Sequence, residues 1–274
     1  MSITYLIDLP CPVKKHVPAS RIMRLVYERE QALLALNRAR KKNVDVDAAD
    51  VHVRLTLKDK QGKAHAVKTT VAAVSIDYAE LEPHGEHCKA CPARVHKQAF
   101  GCRGVLDFPV TLKGEALLMG MIHGVMDDPG PKVLLNYLDS NGILGHQVEE
   151  MRRTGDIFFQ SKKPLVRRYE NDVKLSANQL FELLFLSGTI TWQHGRFLLG
   201  LMDLYEANLP LIAPLDSFKD KFVYEHMRDG KPSYRNAIKI VSSPEDDNCE
   251  RQIKDFLRAL FLACEMECSL RVVL

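Results

Sequence analysis

Between His84 and Cys102 the chain gathers three cysteines and three histidines: His84, His87, Cys88, Cys91, His96 and Cys102. These side chains offer soft thiolates and borderline imidazoles, the donors that zinc and iron prefer. A Cys-x2-Cys turn lets Cys88 and Cys91 face one tetrahedral centre, and Cys102 further on can close round it. Lys89, Arg94, Lys97 and Arg103 lie among them and would offset the charge that thiolates carry. The spacing therefore predicts a metal site of Cys88, Cys91, Cys102 and His96, with zinc as the expected ion. His84, His87 and Cys11 are the other candidates for the fourth position.

With His96 the order is Cys-x2-Cys-x4-His-x5-Cys, one residue longer than the zinc-knuckle spacing. The glycine and aromatic positions of the knuckle are not reproduced, so no family function carries over. An iron–sulfur cluster of the 4Fe–4S type is the alternative occupant, because Pro92 directly follows the second cysteine, as in ferredoxin-type sites. Such a cluster asks for a fourth thiolate, and Cys11, beside Pro12, is the candidate. A thiol redox pair is a further reading of Cys88 and Cys91. Covalent haem is excluded, since Pro92 stands where Cys-x2-Cys-His is required. Cys249, Cys264 and Cys268 read as small buried residues rather than ligands.

If a saturated zinc is structural, no coordination position is left for substrate or activated water. Glu86 is the only carboxylate close to the cysteines in sequence, so a general base is not obvious. The chain also lacks GxxxxGK[ST], GxGxxG after a strand, G-x-S-x-G and H-E-x-x-H. A non-catalytic binding or regulatory role follows as the expectation. Two other groupings read as ordinary structure. His146 and Glu149 share a helix face with no second such pair, which points to solvated surface. Trp192, His194 and Arg196 sit on an amphipathic helix, where a tryptophan fills core.

The formal net charge of +3 on 274 residues selects no class of partner. The first quarter is locally basic at Lys14, Lys15, Arg38, Arg40, Lys41, Lys42, Lys58, Lys60 and Lys63. Glu28, Glu30, Asp45, Asp47 and Asp50 interrupt those cations, so nucleic-acid binding on this basic N-terminal face is an alternative rather than the first reading. Seven cysteines, an odd number, and an N-terminus without a secretory pattern predict a cytoplasmic protein with reduced thiols. No stretch approaches ~20 uninterrupted apolar residues, so no membrane-spanning helix is expected.

The elements that must position these residues make an α+β chain. Ile3 to Leu9, Val51 to Leu57 and Val67 to Ile76 alternate as strands, the last two joined by a turn at Gln61-Gly62. Ser20 reads as the cap of a helix to Arg40. Pro83 to Gly104 forms a long cysteine-rich loop, which a bound metal would organise. Val105 to Val110 is a strand, and Lys113 to Met126 a helix. Helices then dominate: Lys132 to Leu138, Gly145 to Arg153, Ala177 to Leu186 capped by Ser176, Thr191 to Tyr205, and one from Ser243 to Glu265. The final segment, Ser269 to Leu274, reads as a strand and needs a sheet to join. The expected organisation is an N-terminal mixed or antiparallel sheet with a metal loop at 83–104 in residues 1–126. A mainly helical region at 127–274 follows, whose last strand returns to that sheet as one interlocked unit.

Overall fold

Local caps and side-chain alternation set most element boundaries in the computed structural model. It describes residues 2–42, 45–58, 64–96, 98–107, 110–122, 130–154, 159–168, 174–186, 188–202, 204, 226–228, 231–233 and 243–273. In chain order the elements are β1 (Ser2–Ile7), α1 (Ala19–Arg40), β2 (His52–Lys58), β3 (Ala64–Thr70), α2 (Val71–Tyr78) and β4 (Arg103–Asp107). There follow α3 (Leu112–Met121), α4 (Gly130–Ser140), α5 (His146–Arg153), β5 (Val166–Arg168), β6 (Lys174–Ser176) and α6 (Ala177–Phe181). The last are β7 (Thr189–Ile190), α7 (Trp192–Leu201), β8 (His226–Arg228), β9 (Lys231–Ser233), α8 (Asn248–Glu265) and β10 (Leu270–Val273). Helices and antiparallel strands together make the chain α+β. None of the described helices is long and apolar enough to cross a membrane.

Two compact units emerge: Met1–Leu9 with Cys102–Leu274, and Pro10–Gly101. The boundary expected at 126/127 falls inside the first of them.

In the first unit an antiparallel sheet runs β4-β1-β10-β7. β10 pairs with β1 from Thr4↔Val273 to Ile7↔Leu270, so the terminal strand does return to the N-terminal one. Ile3, Tyr5, Leu6 and Ile7 are all fully buried, as a central strand covered on both faces requires. The Tyr5 ring meets Phe256 of α8 edge-on at 5.8 Å. Gly104 faces Tyr5 across the β1–β4 ladder, and a Cβ there would lie 2.1 Å from the tyrosine hydroxyl. Only glycine fits that position. Short ribbons β5–β6 and β8–β9, with β7, complete the strands of this unit, and sequence alternation had not shown them.

In the second unit α1 packs on α2 and on the β2–β3 ribbon. Its buried side chains serve two small cores. Ile22, Leu25 and Val26 join Val13, Val17, Tyr78, Leu81 and Phe100. Ala32 and Leu36 join Val51, Val53, Leu55, Val71 and Val74.

Three expectations are corrected. Val67 to Ile76 is not one strand: Thr70 ends β3, and its hydroxyl accepts the Ala73 N–H to cap α2. Val71, Val74 and Tyr78 are then buried at helical spacing, so the apolar face switches period at a cap worth ~1 kcal/mol. Ser20 does not cap α1. Pro18 does, and its extended backbone leads directly into the first turn. Ser243 does not start α8 either. Asp247 and Glu250 form a reciprocal capping box four residues later, satisfying two helix-end donors, whereas the Ser243 hydroxyl accepts the Glu245 N–H in the turn before the helix. The cap expected at Ser176 is present, and Gln179 makes it a capping box. The turn at Gln61-Gly62 lies outside the described residues.

Candidate metal centre

The cysteine segment is better organised than a bare loop. Glu82–Cys88 forms a 3-10 helix, and Leu81, Ala93, Val95 and Phe100 bury their side chains in the second unit. Val95 and His96 N–H groups both donate to the Gly101 carbonyl, at 3.0 and 3.3 Å. Phe100 takes a positive φ of 58° to make this closure, while its ring stays 4% exposed. A Cβ on Gly101 would strike the His96 carbonyl, so the turn depends on glycine. The chain's own contacts hold the segment, and its length alone no longer calls for a metal.

Cys88 ends the 3-10 helix, and the Cys91 N–H donates to the Cys88 carbonyl at 3.3 Å. Both thiols are half-buried and outside any disulfide, as are those of Cys11, Cys102 and Cys249. Burial pushes the Cys91 thiol up, a backbone hydrogen bond at Ala93 and the charge of Lys14 pull it down, and the neighbouring Cys88 and Cys11 push it up further. Cys11 is thus a neighbour of the pair. It caps the 3-10 turn Pro12–Lys15, which packs on Glu82–Cys88. Cys11 and Cys88 also lie against the same apolar core.

The remaining candidates stand differently. His84 stacks on His16 at 5.5 Å with ring planes 12° apart, and on His87 at 6.4 Å and 22°. Imidazole lone pairs lie in the ring plane, so near-parallel stacked rings do not converge on one ion. His96 is held through its backbone in the closure described above. Cys102 belongs to the first unit, where its carbonyl accepts the Ile7 N–H at 3.0 Å. Among the described residues no group of three or more His, Cys, Asp or Glu side chains is arranged to hold an ion. The sequence singled out Cys88 and Cys91 by spacing, but it had no signal for His16.

The other groupings lie at or near the surface, and Trp192 is half-buried rather than part of the core expected for it. His146 and Glu149 are 3.8 Å apart and strongly exposed. Arg196 lies over the Trp192 ring at 4.7 Å, and His194 meets Tyr137 edge-on at 5.4 Å. In the first unit a cavity of about 500 Å³ is walled by Leu106, Val110, Leu118, Phe181, Phe185 and Ile253. At its rim the Thr111 hydroxyl donates to Cys249 Sγ at 3.1 Å. Burial pushes that thiol up, which keeps it protonated and weakens it as a nucleophile.

Comparison of the chain with protein-family models, with curated proteins and with solved structures yields no match.

Proposed function

We propose that the chain is a metal-binding protein in which Cys88 and Cys91 hold a zinc ion that fastens the 83–104 segment. On this reading the protein works by binding rather than by catalysis. The observation that supports it most is the Cys88–Cys91 turn: two free, half-buried thiols at the exit of a 3-10 helix, closed by the Cys91 N–H on the Cys88 carbonyl. Their donor chemistry fits zinc, with Cys102 and His96 the spacing-based candidates for the remaining positions. Cysteines outside any disulfide also fit the reducing cytoplasm. The test is elemental analysis of protein purified without a histidine tag. About one zinc per chain, lost in Cys88→Ser/Cys91→Ser, supports the reading. Stoichiometric metal that persists in the double variant, or none in the wild type, overturns it.

A second reading is favoured by one register position. Arg54 of β2 lies directly opposite Lys68 of β3, both exposed, with His52 and Thr56 exposed on the same strand. Neither β2 nor β3 carries an acidic residue. Like charges facing each other across a ladder repel, and an anionic partner relieves this. A nucleic-acid backbone has that chemistry. The expected result is oligonucleotide binding that weakens steeply with salt, and a shallower slope in Arg54→Ala/Lys68→Ala. Equal slopes would remove this reading.

A further inference from the structure

We infer that Cys11 is a metal ligand, forming with Cys88 and Cys91 a three-thiolate set inside the Pro10–Gly101 unit. This rests on the metal-binding reading above and names a ligand which the zinc assignment from spacing had given to histidine.

The argument is one of placement. Cys11 is distant in sequence from Cys88, yet it heads the 3-10 turn Pro12–Lys15, and that turn packs on the 3-10 helix which ends in Cys88. Cys11 and Cys88 rest on one apolar core built from Val13, Val17, Tyr78, Leu81 and Phe100. The Cys91 thiol has both of them as electrostatic neighbours, with the Lys14 cation alongside. Two short turns that pack on each other, the first anchored by the buried Val13, thus carry Cys11 and Cys88. The competing imidazoles of His84 and His87 are stacked in near-parallel planes. Three thiolates make a softer, more negative set than the two that spacing alone pairs in this turn. Such a set favours zinc or an iron–sulfur cluster over harder ions.

The thiols are neighbours rather than a closed coordination sphere, so an ion has to draw them together. Binding then ties Pro12–Lys15 to Glu82–Cys88 and closes a long stretch of chain between them. A clip of that kind takes the most conformational freedom from the unfolded chain.

The test uses the full chain with cobalt(II) and zinc(II) as separate probes. Wild-type protein should show a thiolate-to-cobalt charge-transfer band whose intensity per metal drops by about a third in Cys11→Ser, as one thiolate of three is removed. Zinc affinity should fall in that variant by more than the roughly 10–100-fold which follows loss of a ligand's supporting partner. His84→Ala and His87→Ala should change neither. Because Cys11→Ser could disturb folding, a measurement on the wild type accompanies it. Zinc should protect Cys11, Cys88 and Cys91 together from alkylation, read by mass spectrometry, and leave Cys249 as it was. Anaerobic reconstitution with ferrous iron and sulfide separates the occupants: visible absorbance lost in Cys11→Ser assigns the same thiols to a cluster. If Cys11→Ser keeps the wild-type band and affinity while Cys88→Ser/Cys91→Ser loses both, Cys11 is not a ligand and the metal reading survives. If zinc protects Cys88 and Cys91 but leaves Cys11 reactive, the inference fails in the same way. If neither metal binds the wild type, both fall.

Discussion

Each unit holds a cluster of groups that resist burial, and the two clusters are resolved in opposite ways. In the first unit Arg152 and Glu115, both nearly inaccessible, meet at 2.8 Å. Arg152 Nε donates to Asn178 at 2.7 Å, Nη1 to the Ser161 carbonyl at 2.8 Å, and the guanidinium lies 4.1 Å over the Phe159 ring. The same Glu115 oxygen accepts the Leu165 N–H at 2.7 Å. The protein supplies every partner this pair needs. In the second unit Cys11 and Cys88 pack against the edge of a small core, and Cys91 follows in the turn after Cys88. A satisfied polar cluster is a fastening. A cluster of soft donors without such a network is where an external ion has something to add.

The largest effect that would test this contrast is Glu115→Ala. It leaves the Arg152 charge buried without its counterpart and should cost about 3–5 kcal/mol, measured by denaturant unfolding. Glu115→Leu/Arg152→Met, which removes both charges, should recover most of that loss. A double variant as unstable as the single would mean that packing, not pairing, sets the cost.

Metal removal should act more locally. Chelation is expected to raise protease sensitivity between Pro83 and Gly104 while leaving α6, α7 and α8 protected, and acidification should do the same, because thiolate ligands must lose a proton to bind. A chelated protein as resistant as the untreated one at 83–104 would show that its core contacts alone secure the segment.

The smallest effect concerns Glu28, buried on α1. Its carboxyl is raised from the ordinary glutamate range by burial first, then by Asp77, against the pull of Arg21. A raised folded-state value means that the favourable contribution is present in acid, below the unfolded value. It is lost as pH rises through the folded one. Glu28→Gln should therefore raise Tm at neutral pH, by about 1 kcal/mol or less of stability, and the gain should vanish on acidification. A gain that persists unchanged in acid would point away from ionisation.

What could be read from the sequence follows the same division. β1, β2, the Ser176 cap and β10 were legible because alternation and caps are local signals. Val67 to Ile76 was misread because its alternating residues continue past Thr70, and only the cap reveals the switch to helix. For the site, spacing joined Cys88 to Cys91, since the turn between them is short. It could mention Cys11 only as a distant candidate, because a tertiary packing of two 3-10 turns brings it near. The Glu115–Arg152 fastening left no trace in local pattern at all. Its partners Asn178, Ser161 and Leu165 come from α6 and from the stretch before β5.

The strand order β4-β1-β10-β7 also has a consequence for synthesis. β1 precedes the second unit in the chain, but one of its two neighbours, β10, follows α8 and leaves the ribosome long after it. Pro10–Gly101, by contrast, is continuous in sequence, and all its internal partners exist once Gly101 has emerged. Nascent chains fold domain by domain as segments become available. The second unit can therefore mature during translation, while β1, which β4 can already join, waits with its β10 edge unpaired. Holding that strand until the sheet closes is work suited to a chaperone at the tunnel exit, and slowing translation after Gly101 should lengthen the wait without delaying the second unit.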